Sequence, residues 1–205
     1  SQMKRPQNSL VRKEKISSTL MLPSFLRHFL ASLDKGQHFP SLRLLFFGGE
    51  TLYRSDVEKA RKVFPKEATL VNILASTEAY LSRAFIMNYD TPIGSNMVPI
   101  GCPVDGMEML ILDEKGNPCP VGEPGEIYLK SPFLTPGYWN RPEQTKKDIT
   151  HDPEDEKVRI LRTYDKGYFR DEECIIHSGR MDAMVKLRGY RIELGGTVEE
   201  RAVSR

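Results

Sequence analysis

Gly179-Arg180-Met181-Asp182, followed by Val185-Lys186-Leu187-Arg188-Gly189-Tyr190-Arg191-Ile192-Glu193-Leu194-Gly195, is the stretch from which the rest of the chain is read. Val185 and Leu187 alternate with polar residues. Gly189 marks a turn, and Arg191, Ile192, Glu193 and Leu194 resume the alternation. The pattern predicts a β-hairpin. Three arginines, a lysine and an aspartate crowd into it. A hairpin with no task beyond folding seldom needs that much charge at fixed places.

Working outward, other segments stand in a set order. Phe46-Phe47-Gly48-Gly49-Glu50 is an apolar run broken by two glycines and a carboxylate. Asn72-Ile73-Leu74-Ala75-Ser76-Thr77-Glu78 ends a second apolar run on Thr-Glu. Val98-Pro99-Ile100-Gly101 and Pro120-Val121-Gly122-Glu123-Pro124-Gly125-Glu126-Ile127-Tyr128 follow. Then come Gly137-Tyr138-Trp139-Asn140-Arg141-Pro142-Glu143 and Arg162-Thr163-Tyr164-Asp165. These motifs and the hairpin, in this order, resemble the adenylate-forming superfamily of peptide-synthetase adenylation domains, acyl-CoA synthetases and luciferases. The wording is closest to adenylation domains that activate amino acids. One such motif alone is weak; several in collinear order are specific. The resemblance covers about residues 20 to 196.

Composition bounds the alternatives. A compact chain of 205 residues buries about 70% of its unfolded surface. A net charge of +2 with dispersed basic residues does not argue for nucleic acid. No apolar run is long enough for a membrane span. Cys102, Cys119 and Cys174 are odd in number and lack metal spacing, so they read as reduced thiols in a cytoplasmic protein. His28, His38, His151 and His177 are scattered. Residues 1–15 are basic, without apolar periodicity, and read as a tail.

Leu22, Phe25, Leu26, Phe29, Leu30 and Leu33 recur at helical spacing, with Pro23 near the helix start. Leu42 to Phe47 reads as a strand buried on both faces. Ser55 is a candidate cap for a helix over 56–64, with Val57, Ala60 and Val63 on one face. Thr69 to Leu74 is a second buried strand. The helix–strand alternation predicts an α/β layer. After about residue 97 turns become frequent and strands short. Met107, Met109 and Ile111 alternate with Glu108, Leu110 and Leu112, which suggests a small antiparallel barrel or sandwich. A short helix is expected over 141–149. The resemblance implies the same division: a partial α/β subdomain over 16–97, a β-barrel over 98–178, and a hinge with the start of a C-terminal subdomain over 179–205.

The resemblance also implies roles. Thr77 would donate to a phosphate oxygen of ATP and Glu78 would hold Mg²⁺, a task suited to a carboxylate. Gly49, Glu50 and Asn72 would help bind the nucleotide. Leu74 stands where the family has an aromatic residue stacked on adenine. Asp165 would accept from both ribose hydroxyls, since a carboxylate has two oxygens; Tyr164 replaces the glycine before it. Arg180 would reach the ribose or phosphate. Asp182 would be the hinge about which a small domain rotates, with Lys186, Arg188 and Gly189 facing the thiol acceptor. Gly48, Ile73, Leu81 and Ser82 would line the substrate pocket, and their small or apolar character suits a small or apolar side chain.

The implied activity is ATP-dependent activation of a carboxylic acid, an amino acid before others, as an acyl-adenylate with release of pyrophosphate. The implied acceptor is the phosphopantetheine thiol of a carrier protein. An acyl-CoA or fatty-acyl-AMP ligase is the alternative within enzymes. The third reading is a catalytically inactive fragment that binds nucleotide or a partner. The family's Ser/Thr/Gly-rich phosphate loop and its C-terminal lysine have no match here, so the 205 residues alone are expected not to adenylate.

Overall fold

The computed structural model describes residues 6–171, 174–181, 184–187 and 190–193. Its elements, in chain order, begin with α1 (Pro6–Lys13), β1 (Ser18–Met21), α2 (Pro23–Ala31), β2 (Leu44–Phe47), α3 (Arg54–Arg61), β3 (Thr69–Ser76), β4 (Tyr80–Met87) and β5 (Cys102–Pro103). They continue with β6 (Glu108–Leu112), β7 (Gly125–Ser131), α4 (Pro142–Asp148), β8 (Ile149–His151), β9 (Arg159–Phe169), β10 (Ile175–Arg180), β11 (Met184–Leu187) and β12 (Tyr190–Glu193).

The predicted α/β layer is a mixed sheet of order β1-β2-β3-β4-β5. β1, β2 and β3 run parallel, and β4 returns antiparallel. Parallel neighbours need a crossover, and α2 and α3 supply it. Their apolar stripes place Leu26, Phe29, Val57 and Ala60 in one core with Leu45, Phe47, Leu70 and Met87. Each such side chain contributes roughly 1.5–3 kcal/mol by leaving water. Glu50 holds the start of α2, where its carboxylate accepts from the Ser24 backbone N–H and hydroxyl, both at 2.9 Å. An anion at a helix N-terminus is doubly favoured, by orphan amides and by the helix dipole.

Three local expectations change. Residues 6–13 of the basic tail form α1, and Val11 and Ile16 pack partly against the first core. Ser55 does not cap α3. Tyr53 occupies the cap position, and Asp56 accepts from the Tyr53 backbone N–H while pairing with Arg27 through two bonds. β2 is not buried on both faces. Leu45 and Phe47 are buried, but the row Leu20-Phe46-Val71-Ile86 lies on the other face, with Leu20 64% and Ile86 68% exposed. Apolar content alone does not say which face a neighbour covers.

The second layer is antiparallel, of order β10-β9-β7-β6, with β8 on β9. Ile111, Ile127, Leu129, Leu161 and Ile175 form its core. The expected barrel is not closed: among the described residues this is an open sheet. Short alternating strands carry the same pattern whether or not the end strands meet, so the sequence could not separate the two. β11 and β12 pair as the predicted hairpin, Met184 opposite Glu193 and Leu187 opposite Tyr190. Asp182, Arg188 and Gly189 lie outside the described residues, and Lys186 falls on β11.

Candidate functional site

β9 and β10 build the best-defined polar cluster. Asp165 lies opposite Arg180, and Gly167 opposite His177. Residues three apart on a regular strand face opposite sides. Here an irregularity between His177 and Gly179 inserts one residue, Ser178, and Gly179 takes φ +123. That bulge returns Arg180 to the face of His177. Both then reach one carboxylate oxygen: Arg180 Nη1 lies 3.1 Å and His177 Nε2 3.2 Å from Asp165 Oδ1. Among the described residues no donor is recorded to Oδ2. The Thr163 hydroxyl donates to the Ile127 carbonyl and accepts from the Asp165 backbone N–H, fixing the backbone beneath the carboxylate.

Tyr164, between Thr163 and Asp165, sits at φ +60. For a bulky L residue this conformation costs about 1–2 kcal/mol. Compensating contacts surround it. Its hydroxyl donates to buried Asp148 at 2.7 Å, the Arg162 guanidinium lies 4.7 Å from its ring centre, and Met181 N–H donates to its carbonyl. Arg162 itself forks onto buried Glu126 at 2.8 and 2.9 Å, which holds the guanidinium well above its ordinary pKa. Burial, followed by the hydrogen bond and charge of Asp148, pushes the Tyr164 phenol up from 10 to about 12.

A raised phenol pKa means that folding favours the neutral form. Its stability contribution is whole below about pH 10 and is lost as pH rises through about 12. Tyr164→Phe is expected to cost about 1–2 kcal/mol and to flatten the alkaline fall in stability. Urea unfolding at neutral pH and above pH 10 checks this, and identical profiles for both proteins would refute it.

The Thr77–Glu78 motif occupies the turn joining β3 to β4 rather than a free strand end. Thr77 is exposed and Glu78 half-buried. Tyr138 donates its hydroxyl to Glu78 Oε1 at 3.1 Å, and the Glu78 carbonyl accepts from Thr135 N–H at 2.8 Å. The Gly137-Tyr138 segment is therefore docked onto this turn, 60 residues away in sequence.

Other predicted residues take varied places. Asn72 is buried, and its amide donates to the Val98 and Pro99 carbonyls, tying down the Val98–Gly101 segment. Gly49 has φ +80, and an added Cβ at Gly48 would meet Ile73 at 2.8 Å, so Gly48 and Ile73 are in contact. Leu74 packs partly against the second core. Leu81 is partly exposed, whereas Ser82 is buried, and its hydroxyl has no partner among the described residues. Glu50 is engaged at the start of α2. His177 and Tyr138 were not singled out as site residues from sequence. The bulge that aims His177 and the fold that delivers Tyr138 leave no local signal, although Ser178-Gly179 is a bulge-prone pair in retrospect.

No three His, Cys, Asp or Glu side chains converge as a metal cage among the described residues. Mg²⁺ commonly uses one or two carboxylates and completes its shell with substrate phosphates and water. A single half-buried carboxylate in a turn, as at Glu78, fits that donor set. No described helix is long and apolar enough to cross a membrane.

The profile of the AMP-binding enzyme family matches residues 2–139. D-alanine–D-alanyl carrier protein ligase of Streptococcus agalactiae is 35% identical over 174 residues, 84% of this chain and 33% of that protein. Zwittermicin A synthase ZmaJ of Bacillus cereus is 34% identical over 202 residues, 94% of this chain and 38% of that protein. The Vibrio cholerae adenylation domain AlmE, solved with glycyl-adenosine-5'-phosphate, superposes with a TM-score of 0.79 at 25% identity, covering 92% of this chain and 36% of that one. This chain thus spans about a third of the length of these two relatives. With the family profile matching well over half of its residues, the chain belongs to the AMP-binding enzyme family.

Proposed function

We propose that this chain takes part in the ATP-dependent activation of an amino acid as an acyl-adenylate, with release of pyrophosphate and transfer to a carrier-protein phosphopantetheine thiol. The observation that carries this reading is the Asp165 carboxylate. Arg180 and His177 steady one oxygen, and the other has no recorded donor among the described residues. An oriented carboxylate with an oxygen to spare suits a vicinal diol such as ribose. Support for an amino acid and for a carrier protein comes from relatives named for those partners.

In this reading Asp165 binds the ribose, and Arg180 stabilises charge near the ribose or α-phosphate while orienting Asp165. Thr77 donates to a phosphate oxygen. Glu78, steadied by Tyr138, would hold Mg²⁺, which neutralises polyphosphate charge when bound. Gly49, Glu50 and Asn72 support the nucleotide side through the backbone they hold in place. Gly48, Ile73, Leu81 and Ser82 border the acid side chain, and Asp182 serves as the hinge. Cysteines held as thiols suit a cytoplasmic setting.

The test is ATP–pyrophosphate exchange by the protein that contains this sequence, with a panel of amino acids, a panel of fatty acids and no acid. Exchange driven by at least one small or apolar amino acid is expected. Exchange driven by fatty acids alone, or by no acid in either panel, would reject the proposal.

A further inference from the structure

The two sheets meet at a seam that carries a pair of cysteines. Gly101, just before β5, bridges antiparallel to Ile175 at the start of β10, and the Ile100 backbone N–H donates to the Ile175 carbonyl at 3.0 Å. Cys102 follows Gly101, and Cys174 precedes Ile175. The two cysteines therefore flank the same side of this single bridge, one residue beyond it on each chain segment. Bridged residues lie about 4.5–5.5 Å apart at Cα, and a disulfide spans roughly 4.4–6.8 Å, so a pair one residue from a bridge is a candidate for linkage. Cys174 lies within electrostatic range of Cys102 and of buried Arg83. Arg83 is 3% exposed and donates Nε–H to the Gly101 carbonyl at 2.6 Å, holding Gly101 and hence Cys102 in place. Cys102, Arg83, Met107, Met109 and Phe169 border an open cavity of about 490 Å³ at this seam.

The two thiols differ in access. Cys102 is exposed, whereas Cys174 is half-buried and its backbone N–H is held by the Asp171 carboxylate at 2.7 Å. Burial pushes the Cys174 thiol up, with Arg170 pulling against it. A small oxidant therefore meets Cys102 first, with Cys174 the neighbouring thiol beside the same bridge. The third cysteine, Cys119, lies between Pro118 and Pro120 on a different part of the second sheet and pairs with neither.

We propose that Cys102 and Cys174 form a peroxide-reactive dithiol site that closes to a reversible disulfide across the seam of the two sheets. Hydrogen peroxide is the oxidant. The Cys102 sulfur attacks one peroxide oxygen, the O–O bond breaks, and the thiol proton leaves with the other oxygen as water, giving a sulfenic acid. The Cys174 sulfur then attacks the Cys102 sulfur. The S–O bond breaks, a second water leaves with the Cys174 proton, and the S–S bond remains. Overall, two thiols lose two electrons and two protons, and one peroxide becomes two waters. A dithiol reductant reverses the bond by exchange. The bond would tie β5 to β10, the strand that carries His177 and Arg180.

The experiment treats the protein at micromolar concentration with a small excess of hydrogen peroxide and reads intact mass and peptide maps without reduction. A mass loss of about 2 Da, a single linked pair of peptides containing Cys102 and Cys174, a raised Tm, and full reversal by dithiothreitol are expected. Cys119→Ser should leave the bond unchanged, and Cys102→Ser should abolish it. Should Cys102→Ser fail to fold, the wild-type peptide map decides alone. A bond to Cys119, a dimer joined between chains, or Cys102 over-oxidised while Cys174 stays a thiol would each overturn the proposal.

Discussion

Gly101→Ala is expected to lower stability by about 2–5 kcal/mol, a fall in Tm of roughly 5–15 °C for a chain of this size. Two costs add. Gly101 has φ +76, a conformation an L side chain adopts only with strain. An added Cβ would also lie 2.1 Å from the Ala84 carbonyl oxygen, 2.4 Å from its carbon and 2.5 Å from Phe85 Cα. These are backbone atoms of β4, so relief requires β4 and β5 to part. The same residue bridges to Ile175 and accepts from Arg83, so the damage reaches the seam between the sheets. Gly116→Ala is the matched control, since φ is +83 there but no atom lies within 4 Å of the added Cβ. Calorimetry of both variants separates the backbone cost from the clash. Equal Tm values for the two would show that the close approach to Ala84 does not matter.

Asp165→Ala is expected to weaken ATP binding by about 10- to 100-fold, the value of one or two hydrogen bonds to a charged group. It should also destabilise the fold by about 1–3 kcal/mol, because Arg180, only 14% exposed, loses one charge-assisted hydrogen bond. The two effects separate by ligand. If Asp165 receives the ribose hydroxyls, wild-type protein prefers ATP over 2'-deoxy-ATP, and the variant loses that preference. Titration calorimetry with both nucleotides gives the answer. A variant that binds ATP more weakly yet keeps the preference would mean that Asp165 only supports the strand pair.

Much of this molecule was legible before its structure. The helical stripe of Leu26 and Phe29, the strands through Leu45 and Leu70, the hairpin closing Met184 against Glu193, and the short helix after Arg141 all follow from apolar period and turn residues. Local pattern reports local structure faithfully because neighbours in sequence share one backbone geometry. The pattern failed where the answer lay with distant partners. Ser55 looks like a cap, yet Asp56 is recruited by Arg27, 29 residues earlier, and the cap forms at Tyr53. Asn72 donates its amide to carbonyls 26 and 27 residues later, partners that no local pattern names.

The sequence by itself determined the family and the order of its motifs. It also determined which residue types are on hand: a carboxylate at position 165, an arginine at 180 and a Thr-Glu pair at 77 and 78. Only the tertiary structure decided that one inserted residue turns His177 and Arg180 onto the same carboxylate oxygen, and that Tyr138 crosses to Glu78. It also brought Cys102 and Cys174 beside one bridge between the two sheets. Side-chain chemistry belongs to single residues, whereas facing and distance belong to strand register, which a bulge or a neighbouring sheet resets without a mark in the local pattern.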